Sequence, residues 1–453
     1  MDDCPPLSKE LPSVQRFKYI LKEEYILLIL HLSDIHFRKI EVETAQDPNF
    51  HLRNEIIRDV VNQCGILGVP DVIVVSGDIA FAGHPDEFKF ATEWLNELCV
   101  ACGATLQCVF VCPGNHDVVR DQADRNLVQL IHRSIKQAEN PNAEISKQLR
   151  DVDARRLLYE SLDNYNAFAL QFFCDLLPPE RTRATRDVFL NDGSILRLWG
   201  LNSALVSSGK DKERDLFVDE SSFQITRTAG VVNLVIAHHH LSWLRQAQSL
   251  EDHLNDVAPI QMFGHVHTNR IVRDVGGYMR LTASAANPDR HESGWEPGYN
   301  LLEVNIHGAN SERVLHLRAH VRVWQNAPGL FRSKRFRESD VWELSVGLEA
   351  WTPPRANVSP ATSDAQLAFA PALKASGQLP KEGGVMNQLR DVGLRFYRLS
   401  FSKKLEIAGK LELLDDSDMN QPDYERFRRV FQRAYERGII ELLEKAVQEA
   451  EQP

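Results

Sequence analysis

Short apolar runs that stop abruptly at polar residues recur through the first half of the chain. Tyr25 to His31 leads into Ser33-Asp34-Ile35-His36, Asp71 to Val75 into Ser76-Gly77-Asp78, and Cys108 to Val111 into Pro113-Gly114-Asn115-His116-Asp117. Runs that are continuous rather than alternating predict strands covered on both faces. Between the second and third run, Glu87 to Leu98 places Phe90, Trp94 and Leu98 on one helical face, so strand and helix alternate in an α/β pattern. From Arg120 to about Asp187 the spacing turns helical, with Leu127, Leu130 and Ile131, then Leu157, Leu158 and Leu162, and predicts an inserted helical cap. Strands resume at Ile195 to Leu201, Val231 to Ala237 and Ile260 to Phe263, and the last two end in histidines. Ile271 to Val275 and Tyr278 to Thr282 flank Gly276-Gly277, a hairpin signal because paired glycines accept positive φ. Leu301 to Ile306 and Val314 to Val323 read as further strands.

After about Ala350 this patterning lapses into Ala, Ser, Pro and Gly, and it returns at Val385 as helix. Phe427, Val430, Phe431, Ala434 and Tyr435 make one apolar stripe, and Gly438 stands where that helix would stop. The organisation that follows is an N-terminal extension over 1–24, a large α/β domain over 25–350 with the cap at about 120–187, a linker over 351–384, and an accessory bundle of about four helices over 385–453. Arg426, Arg428, Arg429 and Arg433 are expected on a solvated helix face.

The chain has 453 residues, 43% of them hydrophobic and 25% charged, which suits a folded two-domain protein. A net charge of −11 opposes the broad basic surface of non-specific nucleic-acid binders, although bound cations could supply positive charge locally. No early segment combines a basic start with a long apolar run, so a cytoplasmic protein without membrane insertion is expected. Seven cysteines do not suggest a disulfide framework, and Cys99 and Cys102, a lone CxxC, are expected to be buried thiols.

Five segments place Asp, Asn or His directly after a predicted strand: Asp34 with His36, Asp78, Asn115 with His116, His238 to His240, and His265 with His267. The ordered series DxH, GD, GNHD, HH and GHxH resembles the calcineurin-like metallophosphoesterase superfamily over about Ile26 to His267. That resemblance implies a four-layer α-β-β-α sandwich of two β-sheets flanked by helices, to which the chain adds a small all-helical C-terminal domain. It also implies two divalent transition-metal ions, drawn from Mn, Fe, Zn, Ni or Co, since imidazole-rich ligation favours these over Ca. Asp34, His36 and His267 would hold one ion, Asn115, His238 and His265 the other, with Asp78 between them. An anionic bridge offsets the repulsion of two cations about 3.5–4 Å apart.

Family roles make His116 the residue that assists the leaving oxygen, with Asp117 holding its ring. The triple histidine departs from the usual wording, in which proline follows two histidines. Aligning Leu241-Ser242-Trp243-Leu244 with that wording makes His238 the ligand and His239 its neighbour, the reverse being the alternative, and leaves His240 a polar loop residue. His84 could reach a substrate phosphate or lie in a surface loop, Asn202 and Ser203 could line the pocket or form a turn, and His291 reads as structural. The implied chemistry is attack of a metal-bound hydroxide on a phosphate ester, with a phosphodiester preferred. Nucleotides, nucleic acid and phosphomonoesters remain alternative substrates. An inert binding domain would lack at least one ligand, and none is missing. The 385–453 segment weakly resembles bacterial effector-associated modules, which would make it a site for a protein partner or for self-association, as in signalling or defence.

Overall fold

The computed structural model describes residues 25–42, 44, 47–178, 181–275, 277–289, 294–335, 337–353 and 382–451. The expected 1–24 extension, the linker over 354–381, Gly276 of the hairpin turn and His291 lie outside the described residues.

The strands are β1 (Leu27–Leu32), β2 (Val72–Val75), β3 (Val109–Val111), β4 (Arg183–Phe189), β5 (Ile195–Leu201), β6 (Val231–Ala237), β7 (Ile260–Phe263), β8 (Arg270–Arg273), β9 (Met279–Thr282), β10 (Gly298–His307), β11 (Val314–Asn326), β12 (Gly329–Ser333) and β13 (Val341–Gly347). One sheet runs β12-β11-β10-β1-β2-β3, with β13 on the first half of β11, and the other runs β4-β5-β6-β7-β9-β8. In the first sheet β1, β2 and β3 are parallel while β10 meets β1 antiparallel. In the second, β5, β6, β7 and β9 are parallel.

Every residue of β1 and β2 is buried because each lies between the opposite sheet and a helical layer. The sheets touch closely: a Cβ on Gly200 of β5 would stand 3.0 Å from the Phe110 ring of β3. Outside the first sheet, helix Phe50–Leu67 is tied down by Asp59, which accepts from Arg322 of β11 and Tyr299 of β10. Helix Pro85–Cys102 lies beside it. Outside the second sheet, helix Ala247–Val257 is held by Arg280 of β9, which donates to Glu251 and Asn255. The result is the four-layer sandwich of two mixed sheets flanked by helices.

Two expectations need correction. The helical insertion comprises Arg120–Ala123, Asn126–Gln137, Pro141–Arg150, Val152–Tyr159 and Asp163–Ala169, but it stops short of Asp187, because Arg183–Phe189 pairs antiparallel with β5. That strand sits at a sheet edge with only two buried residues, so its apolar signal is too weak to separate it from the helices before it. The arginines near the chain end are not a solvated face. Arg426 is 8% and Arg428 3% exposed, and Arg428 pairs with Asp175, while Arg181 lies 2.8 Å from both Asp175 and Glu425.

This buried quartet joins the sandwich to four helices, Glu382–Arg398, Phe401–Lys410, Asp423–Glu436 and Ile440–Glu451. The joint continues at Gly393, where a Cβ would come within 2.7 Å of Phe173, and at Gln107, which donates to Asp391. The six described cysteines are free thiols, Cys99 and Cys102 buried among them. No described helix is long and apolar enough to cross a membrane.

Removing one member of a buried ion pair strands the other's charge, at a cost of about 3–5 kcal/mol. Asp175→Ala is therefore expected to lower the urea midpoint of unfolding by that much, whereas Arg58→Ala, at an exposed pair, moves it by less than about 1 kcal/mol. Equal midpoints for the two variants would mean that the quartet does not fasten the bundle.

Candidate metal centre

Each candidate ligand stands where a strand stops: Asp34 and His36 past β1, Asp78 past β2, Asn115 past β3, His238 past β6, and His265 and His267 past β7. The backbone there is unusual. Asp34, His36, Asp78, His265 and His267 have φ of +52°, +52°, +52°, +68° and +54°, and they are half of the ten described non-glycine residues with positive φ. Left-handed backbone costs an L-residue about 1–2 kcal/mol. Here it turns the chain sharply at both members of Asp34/His36 and His265/His267, so that both side chains of each pair enter one cleft.

Two glycines permit the crowding. A Cβ on Gly77 would lie 2.7 Å from the His238 ring, and one on Gly114 would lie 2.2 Å from Asp78 Oδ1.

The cleft gathers its groups around two carboxylates, Asp34 at 0% and Asp78 at 1% exposure. His267 Nε2 lies 3.2 Å from Asp34 Oδ1, while His36 Nε2 and His238 Nε2 lie 3.2 Å and 3.1 Å from Asp78 Oδ2. Asn115 Oδ1 is 3.1 Å from His238 Nε2. Ligand atoms of Asp34, His36 and His267 fall within 4.8 Å of one another, as do those of Asp34, Asp78 and His238. His265 groups with His238 and with His239, whose ring centroid is 4.5 Å away.

Burial alone would raise the Asp34 carboxyl, but the charges of His267 and His238 outweigh it and hold it below its ordinary range. Asp78 behaves likewise against His238 and His116. For His238, burial works against the charged ring, yet Asp78 and Asp34 push its pKa up to about 9, while burial drives His265 down to about 3. These residues fit a divalent pair. Asp34 Oδ1 is buried without a hydrogen bond, and the donors are carboxylate oxygen, amide oxygen and imidazole nitrogen, a set suited to borderline transition metals.

The neighbouring residues sort themselves by contact. His238 points at both carboxylates with its Nδ1 on the Ser76 carbonyl at 2.8 Å, whereas His239 turns its Nδ1 to the Ser203 hydroxyl at 2.8 Å. His240 caps the turn at Ser242, His84 caps helix Pro85–Cys102, and Asn202 accepts from the Ala204 amide. His116 is close to the cluster: its ring lies 4.8 Å from that of His36, and its amide donates to Asp78 Oδ1 at 2.8 Å. Its Nδ1 is 2.8 Å from the Phe81 carbonyl, which fixes the proton on that nitrogen, so the Arg120 guanidinium 3.0 Å away acts through its charge. Burial chiefly lowers the pKa of this ring.

Asp117 does not hold that ring. Its Oδ1 accepts from the amides of Ile79 and Ala80 and its Oδ2 from that of Gly114, so it clamps the turn carrying Asp78 to the turn carrying Asn115. Sequence reasoning also passed over Arg38, Phe81 and Trp243. Arg38 lies 4.0 Å over the Phe81 ring, which stacks on His116 at 5.1 Å, and Trp243 meets His265 edge-on at 4.2 Å. Arg38 had a signal, lying two residues past His36 on the same turn.

Residues 27–269 match the model of the calcineurin-like phosphoesterase family, more than half of the chain, and the chain belongs to that family. Residues 388–449 match the GTPase-associated adaptor domain. The uncharacterized metallophosphoesterase-like protein YydB of Bacillus subtilis (strain 168) is 23% identical over 305 residues, 64% of this chain and 59% of that protein. The glycerophosphodiester phosphodiesterase GpdQ of Enterobacter lignolyticus (strain SCF1) is 36% identical over 92 residues, 20% of this chain and 30% of that protein. The chain thus spans less than two thirds of either relative. Among solved structures, the purple acid phosphatase PPD1 of yellow lupin (Lupinus luteus) is similar with a TM-score of 0.39 at 11% identity, over 74% of this chain and 57% of that one.

With its pKa near 9, the metal-free His238 ring carries a proton at neutral pH, and a cation taking that nitrogen must expel it. Calorimetric metal titration in buffers of different ionisation enthalpy is expected to show about one proton released from this ring near pH 7.5, and His238→Gln to remove it. A proton count indifferent to the substitution would contradict His238 as a ligand.

Proposed function

We propose that this chain is a dinuclear-metal-dependent phosphodiesterase. The observation that carries the reading is the convergence of seven strand-terminal donors on two buried carboxylates, one of which has an oxygen without a hydrogen bond. Asp34, His36 and His267 would hold one cation, Asn115, His238 and His265 the other, and Asp78 both. When bound, such a pair supplies Lewis acidity toward a phosphoryl oxygen and toward the attacking water.

The chain's own residues supply the rest. His116, with Nδ1–H fixed on the Phe81 carbonyl, keeps Nε2 for a substrate oxygen and is assigned the proton transfer at the departing alcohol. Phe81, stacked on that ring and covered by Arg38, limits its rotation. Asp117 keeps Asp78 and Asn115 in fixed relation by three amide bonds. The similarity to a glycerophosphodiester phosphodiesterase over 92 residues favours diesters over monoesters, and the net charge of −11 disfavours long nucleic acids. A cytoplasmic setting suits this reading.

A second reading concerns the C-terminal helices, which the match to an adaptor domain favours as a site for a protein partner. Because the bundle is fastened to the sandwich by buried charge, such a partner would meet a unit fixed to the enzyme. Met419 and Leu442 are 58% and 54% exposed on it. If they contact the partner, Met419→Asp with Leu442→Asp lowers its capture at least about tenfold, whereas unchanged capture places the contact elsewhere.

With Mn, Ni, Zn or Mg restored to stripped protein, bis-p-nitrophenyl phosphate is expected to be cleaved faster than p-nitrophenyl phosphate. Asp78→Ala abolishes both, and His116→Gln lowers kcat by roughly 10²–10⁴ with metal content retained. Cleavage of the monoester alone would remove the diesterase reading.

A further inference from the structure

Beside the carboxylate cluster lies a cavity of about 220 Å³. Arg38, Glu41 and Asn49 form one side, and Asn287 and Asp289 the other, with Pro48 and Pro288 between the polar groups. It adjoins the candidate site through two short connections. Arg38 follows His36 by two residues, and the Asn287 amide donates to the Asp34 carbonyl at 3.1 Å.

The wall is internally organised. Arg38 reaches Glu41 at 3.2 Å and Asp289 at 3.3 Å while its guanidinium covers Phe81, so it separates the cavity from the His116 ring. Asn49, 8% exposed, donates to Glu41 at 3.0 Å. Asn287 is 4% exposed, and its Oδ1 is buried without a hydrogen-bond partner. A buried acceptor in that state favours a ligand that brings a donor.

Three properties narrow the ligand. Liquid water takes about 30 Å³ per molecule, so the space equals roughly seven waters, below the range of about 300–1,000 Å³ typical of pockets for drug-sized ligands. None of the described lining residues is aromatic, whereas nucleobases are commonly gripped by stacking. One guanidinium faces two carboxylates, so the wall is net negative and repels a second phosphate. What remains is a small group rich in hydroxyls, able to donate to Glu41, Asp289 and Asn287 and to accept from Arg38.

We propose that this cavity binds a small polyhydroxylated alcohol arm of a phosphodiester whose phosphate lies at the Asp34/Asp78 cluster. The assignment rests on the diesterase reading, and it names the substrate class: esters of a glycerol-sized polyol rather than nucleotides or alkyl phosphates.

The test compares methyl 3,4-dihydroxybutylphosphonate with methyl butylphosphonate, which differ in two hydroxyls and have no cleavable ester oxygen on the arm in question. Affinities are measured by titration calorimetry on the metal-loaded full chain. The dihydroxy compound is expected to bind at least about tenfold more tightly, roughly the net worth of one good hydrogen bond. In Asn287→Leu and, as an independent variant, Glu41→Leu, each checked for folding by its melting curve, the ratio is expected to fall to within about threefold. Equal affinities in the wild type overturn the assignment, as does a tenfold ratio that survives in both variants. Bis-p-nitrophenyl phosphate turnover on the same preparation separates the two claims. Hydrolysis with equal affinities removes only the polyol site, and a tenfold preference without hydrolysis removes only the diesterase reading. Absence of binding by either phosphonate contradicts both.

Discussion

Two carboxylates, Asp34 and Asp78, are buried almost completely in the middle of the molecule, and much else follows from the need to compensate their charge. Each meets imidazoles within hydrogen-bonding distance, and each also accepts a backbone amide, His265 N for Asp34 and His116 N for Asp78. Placing so many polar groups at one point requires five non-glycine residues in left-handed backbone and glycines where a Cβ would collide with a ring or a carboxylate. Such strain persists only where surrounding structure enforces it. The enforcement comes from parallel strands buried on both faces, which deliver the turns, and from Asp117, which ties two of them together.

The C-terminal helices obey a related constraint. Asp175, Arg181, Glu425 and Arg428 are all buried, and they satisfy one another only while the bundle stays against the sandwich. Any partner of the adaptor-like helices would therefore act on a body joined to the segment that follows the helical insertion. The cavity beside Asp34 lies among residues 38–49 and 287–289, a different part of the chain.

Much of this was legible in the sequence because strand ends and ligands coincide there. The runs before Asp34, Asp78, Asn115, His238 and His265 announced both a buried strand and the polar group at its end, and Leu241-Ser242-Trp243 selected His238, the histidine that faces both carboxylates. What escaped depends on tertiary contact. Helical spacing shows which face of Asp423–Glu436 is apolar, but it cannot reveal that Arg428 meets Asp175, 253 positions earlier. The spacing of Asp117 after His116 suggested a partner for the ring, whereas the carboxylate turns to three amides, two of them nearly forty residues away. Edge strand β4 was absorbed into the helical insertion because few of its side chains are buried.

Metal occupancy resolved in position tests the central claim most directly. Anomalous diffraction from crystals grown with Mn or Zn is predicted to show two ions about 3.5–4 Å apart with Asp78 between them. One ion alone, or ions bound away from Asp34 and Asp78, would contradict the account.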